Sequence, residues 1–159
     1  MSASVSDNMA ASTSHIHVET RHVVPVDHSL PSLAVQVTRL VDSYMLWVGM
    51  TAEAAEDIES APMQGYLAHD WACAMPARTS NPNIPPAATA LFRSSGSDAA
   101  LPMAQRLARR FGKQIFLSID VSPSFNPMGQ GSKLLLAIEK AVVDTLKEME
   151  QPPHTSASS

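Results

Sequence analysis

The sequence is poor in the residues that lock a fold covalently or carry chemistry. A single cysteine, Cys73, stands in 159 residues, which excludes an intrachain disulfide and any cysteine-rich zinc site and asks for no oxidising compartment. The six glycines never gather into Gly-x-Gly-x-x-Gly or a phosphate loop, and no Gly-x-Ser-x-Gly elbow occurs. Nucleotide binding and hydrolase chemistry therefore find no motif. Charged residues make up only 16% and the formal net charge is −4, so the basic face that phosphate binding requires is missing and nucleic acid is not an expected partner. No apolar run approaches the roughly 20 residues of a membrane-spanning helix. Met1 to Ser14 also lack the basic start and apolar stretch of a signal peptide. These absences lead us to expect a protein of the cytosol or nucleus that does not enter a membrane.

Apolar residues, by contrast, reach 45%, too many for a disordered chain and more than so little charge can easily cover. Residues 1–14 and 151–159 are tracts rich in Ser, Ala, Thr and Pro with too little apolar content to offset the entropy of ordering. The reading is a single domain over 15–150 between disordered tails.

Within it, His15 to Val26 permits a weak edge strand, punctuated by Pro25 and Pro31. Leu33–Leu40 and Tyr44–Met50, separated by a short polar turn at Asp42 and Ser43, form a hairpin. Thr51 to Ile58, with Glu53, Glu56 and Asp57, reads as an acidic, solvated connector. Leu67–Met75 reads as a third strand. Pro76–Ala88 holds four prolines in thirteen residues, which forces a loop before a short strand at Thr89–Phe92. From Asp98 the recurrence of Leu101, Ala104, Leu107, Ala108 and Phe111 predicts a helix capped by Ser97 or Asp98 and closed by Gly112. Gln114–Asp120 alternates as a strand, and Ser132 to about Glu150 is an amphipathic helix. Strands first, then helix, strand and helix without regular βαβ alternation, predict an α+β fold: an antiparallel β-sheet with two main helices packed on it.

The most informative local pattern is the second hairpin strand. Tyr44, Leu46 and Val48 point one way and Met45, Trp47 and Gly49 the other, so both faces are apolar. A half-buried antiparallel strand should alternate with polar residues, and only a strand covered on both sides tolerates this composition. The cover is either the rest of this domain, if the strand is central, or another protein.

Chemical candidates are sparse. His15 and His17 could share one strand face as metal ligands, but no companion cluster of Cys or carboxylates accompanies them, and no metal or other cofactor is expected. Cys73, beside Trp71 and Ala74, reads as a packing thiol, and Asp70 as a strand-end carboxylate in solvent. Arg106, Arg109, Arg110 and Lys113 form the one concentrated positive patch. Their place at a helix C-terminus suits the helix dipole, and an acidic partner surface would suit them equally.

Two blocks of sequence resemble a known family. Leu40-Val41-Asp42-Ser43-Tyr44-Met45-Leu46-Trp47-Val48-Gly49 is similar to the strand-turn-strand signature of the proteasome assembly chaperone 4 family. Met103 to Arg110 followed by Lys113 to Ser118 is similar to its basic helix and succeeding strand, and Leu134 to Met149 falls where that family has its last helix. The resemblance spans about Leu33 to Glu150, whereas Thr51 to Ala88 and the long leader depart from the family's pattern. It implies a chaperone without enzymatic activity that pairs with proteasome assembly chaperone 3 and binds proteasome alpha subunits, notably alpha-5, during assembly of the alpha ring of the 20S core particle. Met45, Trp47 and Phe116 are the candidate contacts to the chaperone partner; Arg106, Arg109, Arg110 and Lys113 are candidates for a proteasome subunit or that partner. The competing readings are a small enzyme or ligand-binding domain using Asp70 or His69 as acid and base, and a structural homodimer.

Overall fold

The computed structural model describes residues 16–77, 81, 83–93, 97–121 and 130–151. The expected tails, apart from Gln151, lie outside the described residues, as do His15 and parts of the proline-rich loop. Six strands run in the chain order β1 (His17–Val23), β2 (Leu33–Leu40), β3 (Ser43–Met50), β4 (Trp71–Ala74), β5 (Ala88–Phe92) and β6 (Gln114–Asp120). The helices are α1 (Ala61–Gln64), α2 (Ala100–Phe111) and α3 (Gly131–Glu150).

The strands make one sheet in the order β1-β2-β3-β6-β4-β5. All neighbours are antiparallel except β3 and β6, which run parallel through the middle. The fold is the expected α+β arrangement, with that parallel pair as a departure from a purely antiparallel sheet. It arises because β4, β5 and α2 intervene before β6 returns between β3 and β4. The hairpin turn is tight: Asp42 takes a positive φ of 52°, a conformation that Asp tolerates better than most residues. Gly112, with φ 62°, closes α2 in the left-handed conformation that its lack of a Cβ permits, and its N–H donates to the Ala108 carbonyl.

Both long helices pack on one face. Leu33, Val35 and Val37 of β2, Tyr44, Leu46 and Val48 of β3, Ala72 and Ala74 of β4, and Ile115, Leu117 and Ile119 of β6 form one core with Met103, Ala104 and Leu107 of α2 and Leu134, Ile138, Val142 and Leu146 of α3. Full burial of the Val, Leu, Ile and Met side chains among them contributes about 1.5–3 kcal/mol each, so this face holds the domain together. It is also why the alternation in β3 and β6 is strict on the helix side.

Four expectations change: the start of the third strand, the burial of Asp70, the cap of α2, which comes from neither Ser97 nor Asp98, and the acidic connector. The third strand starts at Trp71, not Leu67. Asp70 is 2% exposed and turns away from solvent, its Oδ2 accepting from Ser97 Oγ at 2.8 Å, Ala99 N at 2.9 Å and Ala100 N at 3.1 Å. The start of α2 is thus capped by a carboxylate from a distant loop, with no side-chain cap from its own N-cap residue, Ala99. The acidic connector after β3 also carries more structure than expected: a 3-10 turn at Ile58–Ser60 and the single-turn α1, with Pro62 in its first turn.

Candidate protein-docking face

The face of the sheet away from α2 and α3 presents cross-strand rows. One runs Thr38, Met45, Phe116, Cys73 and Thr89; the next runs Gln36, Trp47, Ser118, Trp71 and Phe92. Met45 and Phe116, expected as neighbours, are direct partners across the parallel β3–β6 pair, because a parallel register keeps alternate residues of both strands on one side.

The chain divides this face in two. At one end Trp47 is 5% exposed and clusters with Ala34, Ile58 and Ala61, so the 3-10 turn and α1 lie over its indole. Gly49 and Gly65 allow that approach: a Cβ on either would stand 2.5 Å or 2.4 Å from Trp47 Cζ2. The cover is fastened at its far side. Asp120 Oδ2 accepts the Tyr66 N–H, His69 Nδ1 stands 3.6 Å from Asp120 Oδ1, and Ser118 Oγ donates to the Leu67 carbonyl. Gln64 Nε2 donates to Glu53 Oε1 at 3.0 Å.

Beyond the cover, Met45, Phe116, Cys73 and Trp71 are each half-buried, and Phe92 at the sheet's edge is 49% exposed. Gln114 Nε2 donates to Cys73 Sγ at 3.4 Å. The indole N–H groups of Trp47 and Trp71 are buried without an acceptor among the described residues, an arrangement that costs about 1–3 kcal/mol per group. Sequence reasoning found Met45 and Phe116 but did not assign Trp71 or Cys73 to the same surface; the period of two across β4 was the available signal.

The basic cluster sits on the other side of the molecule, on and just after α2. Arg106 makes a bidentate pair with Glu139 of α3, Nε to Oε1 at 2.8 Å and Nη2 to Oε2 at 2.7 Å. That bond holds the Glu139 carboxyl below its ordinary range and the Arg106 guanidinium above its own. Arg109 Nη2 donates to the Ile84 carbonyl at 2.7 Å, and Lys113 Nζ lies 5.7 Å from the centre of the Tyr44 ring. Burial, reinforced by the Glu150 carboxylate that Tyr44 contacts through its hydroxyl, raises the Tyr44 phenol. Three of the four cations thus help to hold the fold, while Arg110 is exposed.

The acid-base reading loses Asp70 to its capping role. His69 lines a cleft of about 380 Å³ with Trp47, Glu53, Tyr66 and Asp120, where Asp120 already serves the cover. Among the described residues no three His, Cys, Asp or Glu side chains gather to hold a metal, and no helix is long and apolar enough to cross a membrane.

No curated protein sequence matches the chain. Its fold is similar to that of a chain in the crystal structure of a novel chaperone complex for yeast 20S proteasome assembly. That likeness has a TM-score of 0.56 and 22% identity, covering 82% of this chain and 96% of the other. The sequence family described as proteasome assembly chaperone 4 matches residues 32–121, more than half of the chain and all the strands from β2 to β6. The chain belongs to the proteasome assembly chaperone 4 family.

Proposed function

We propose that this protein is a chaperone of 20S proteasome assembly that pairs with proteasome assembly chaperone 3 and, as that heterodimer, binds alpha subunits, notably alpha-5, while the alpha ring forms. The observation that carries the reading is the family match over residues 32–121, because it spans β2, β3, β4, β5 and β6 and so the whole docking face. The partner chaperone lies over Met45 and Phe116, with Trp71 and Cys73 beside them; Trp47 supports this surface from beneath the cover. Apolar side chains left half-buried by their own domain gain most from a second sheet or helix laid on them.

The basic side of α2 is assigned to the alpha subunit. Arg110 is exposed and makes no side-chain hydrogen bond among the described residues, which leaves its guanidinium to a new carboxylate contact, and Arg106, Arg109 and Lys113 flank it. The two contacts fall on opposite sides of the sheet, which lets one chain hold a partner and a subunit at once. No nucleotide is required. The chaperone favours one arrangement of subunits by binding it more tightly than its competitors, and leaves when later subunits take the same surface. This work belongs to the cytosol and nucleus, and a lone, half-buried thiol suits those reducing compartments.

Co-expression with proteasome assembly chaperone 3 and alpha-5 chains, followed by size-resolved mass measurement, tests the reading. A ternary complex is expected, lost with Phe116→Glu through the chaperone partner and weakened by joint reversal of Arg109 and Arg110 through the subunit. Recovery of this chain alone would overturn it.

A further inference from the structure

β1 forms one edge of the sheet, and among the described residues no strand pairs with its outer side. An exposed edge invites pairing, and proteins usually guard it with charged side chains, inward-pointing ones included, a proline or a bulge. β1 has no proline within it, its first being Pro25, beyond the strand; its charges are one of each sign, Glu19 and Arg21, placed symmetrically about Thr20, so they exclude most edges but complement those of a second copy. Both point to the helix side of the sheet, since Glu19 faces Val37 and Arg21 faces Val35 on β2.

Antiparallel pairing of this segment with itself has one register that satisfies every position. With Thr20 opposite Thr20, Glu19 of each copy meets Arg21 of the other, and this happens twice because of the twofold axis. Arg21 Nε already lies 2.5 Å from Glu19 Oε1 of its own strand while its Nη1 pairs with Glu148 of α3, so the guanidinium is held in place beside Glu19 and the four strand side chains would close into an alternating ring of charge, with Glu148 of each copy at its flank. On the opposite side of the sheet Val18 meets His22, and just beyond the strand Ile16 meets Val24. These are apolar side chains with much to bury: Ile16 is 66%, Val18 53% and Val24 60% exposed. Slipping the register by two residues in either direction, the smallest shift that keeps each side chain on its own face, sets Glu19 against Glu19 or Arg21 against Arg21. Charge therefore selects the register that apolar burial also favours.

We propose that β1 pairs with β1 of a second copy of this chain about a twofold axis through Thr20, joining two sheets edge to edge. The paired edge borders the docking face, since Val18 and Thr20 lie opposite Thr38 and Gln36 of its rows, but the pairing does not depend on the function proposed above.

Sedimentation velocity of the full chain over a range of concentrations provides the test, with circular dichroism to show that each variant is folded. The wild type is expected to dimerise reversibly. Glu19→Arg sets Arg against Arg, and Arg21→Glu sets Glu against Glu, so each alone should weaken self-association at least about tenfold. Mixed together, the two variants should pair with each other, and the double variant Glu19→Arg/Arg21→Glu should pair with itself. Phe116→Glu, which strikes the docking face, should leave self-association unchanged. A wild type monomeric at every concentration, single reversals without effect, a mixture that does not pair, or dimers lost with Phe116→Glu alone would each overturn the proposal.

Discussion

Removing the carboxylate of Asp70 should unfasten α2 from a loop almost thirty residues upstream. Asp70→Ala deletes the acceptor for Ser97 Oγ, Ala99 N and Ala100 N. The loss of a helix cap costs about 0.5–2 kcal/mol. Ala100 is fully buried, so its N–H would be stranded away from water, which adds about 1–3 kcal/mol. The two effects overlap, and a total near 2–4 kcal/mol is expected, a fall in Tm of roughly 6–16 °C for a domain of this size. Urea unfolding followed by circular dichroism reads the first quantity. Hydrogen exchange reads the mechanism, because the Ala99 and Ala100 amides should lose protection more than the middle of α2. Asp70→Asn keeps an acceptor oxygen and should cost less than the alanine variant. An alanine variant within about 0.5 kcal/mol of wild type, a value typical of uncommitted surface positions, would refute the reasoning, as would an asparagine variant equally unstable.

Other outcomes follow from the same geometry. Gly65→Ala puts a Cβ 2.4 Å from Trp47 Cζ2 and 2.7 Å from Asp120 Oδ2; it should lift the cover, cost about 1–3 kcal/mol and, in a Trp71→Phe background, make Trp47 fluorescence more accessible to acrylamide. Glu139→Gln breaks the bidentate pair with Arg106. Because the folded-state carboxyl is held below its ordinary value of 4.5, the pair stabilises above that value and fades as pH falls below it. The variant should lose about 1 kcal/mol or less at neutral pH and match wild type in strong acid, as measured by urea unfolding at both pH values. Met45→Asp should abolish binding to the partner chaperone while leaving the urea midpoint close to that of wild type, because its side chain is half-exposed on the docking face.

The regular elements were legible because their patterns are local. Gln114–Asp120 is a strand at the residues its alternation marks, and α2 ends at the Gly112 that its spacing requires. Both apolar sides of β3 were legible too. Their separate fates were not: Tyr44, Leu46 and Val48 go to the helices, while Trp47 is closed off by a segment that reads as an acidic connector. Glu53, Glu56 and Asp57 hide the fact that Ile58 and Ala61 suffice to cover an indole when two glycines let them come close. Asp70 was misread for the opposite reason. Its partners are the amides and hydroxyl of residues far along the chain, and no local pattern announces a cap supplied from elsewhere.

The parallel pairing of β3 with β6 also governs when the molecule can come into being. β1, β2 and β3 are made first and can associate as they leave the ribosome, yet the inner flank of β3 has no neighbour until residues 114–120 have been synthesised. The last strand produced is the one that joins the two halves of the sheet, so the nascent protein must hold an open, apolar meander while residues 51–113 are made.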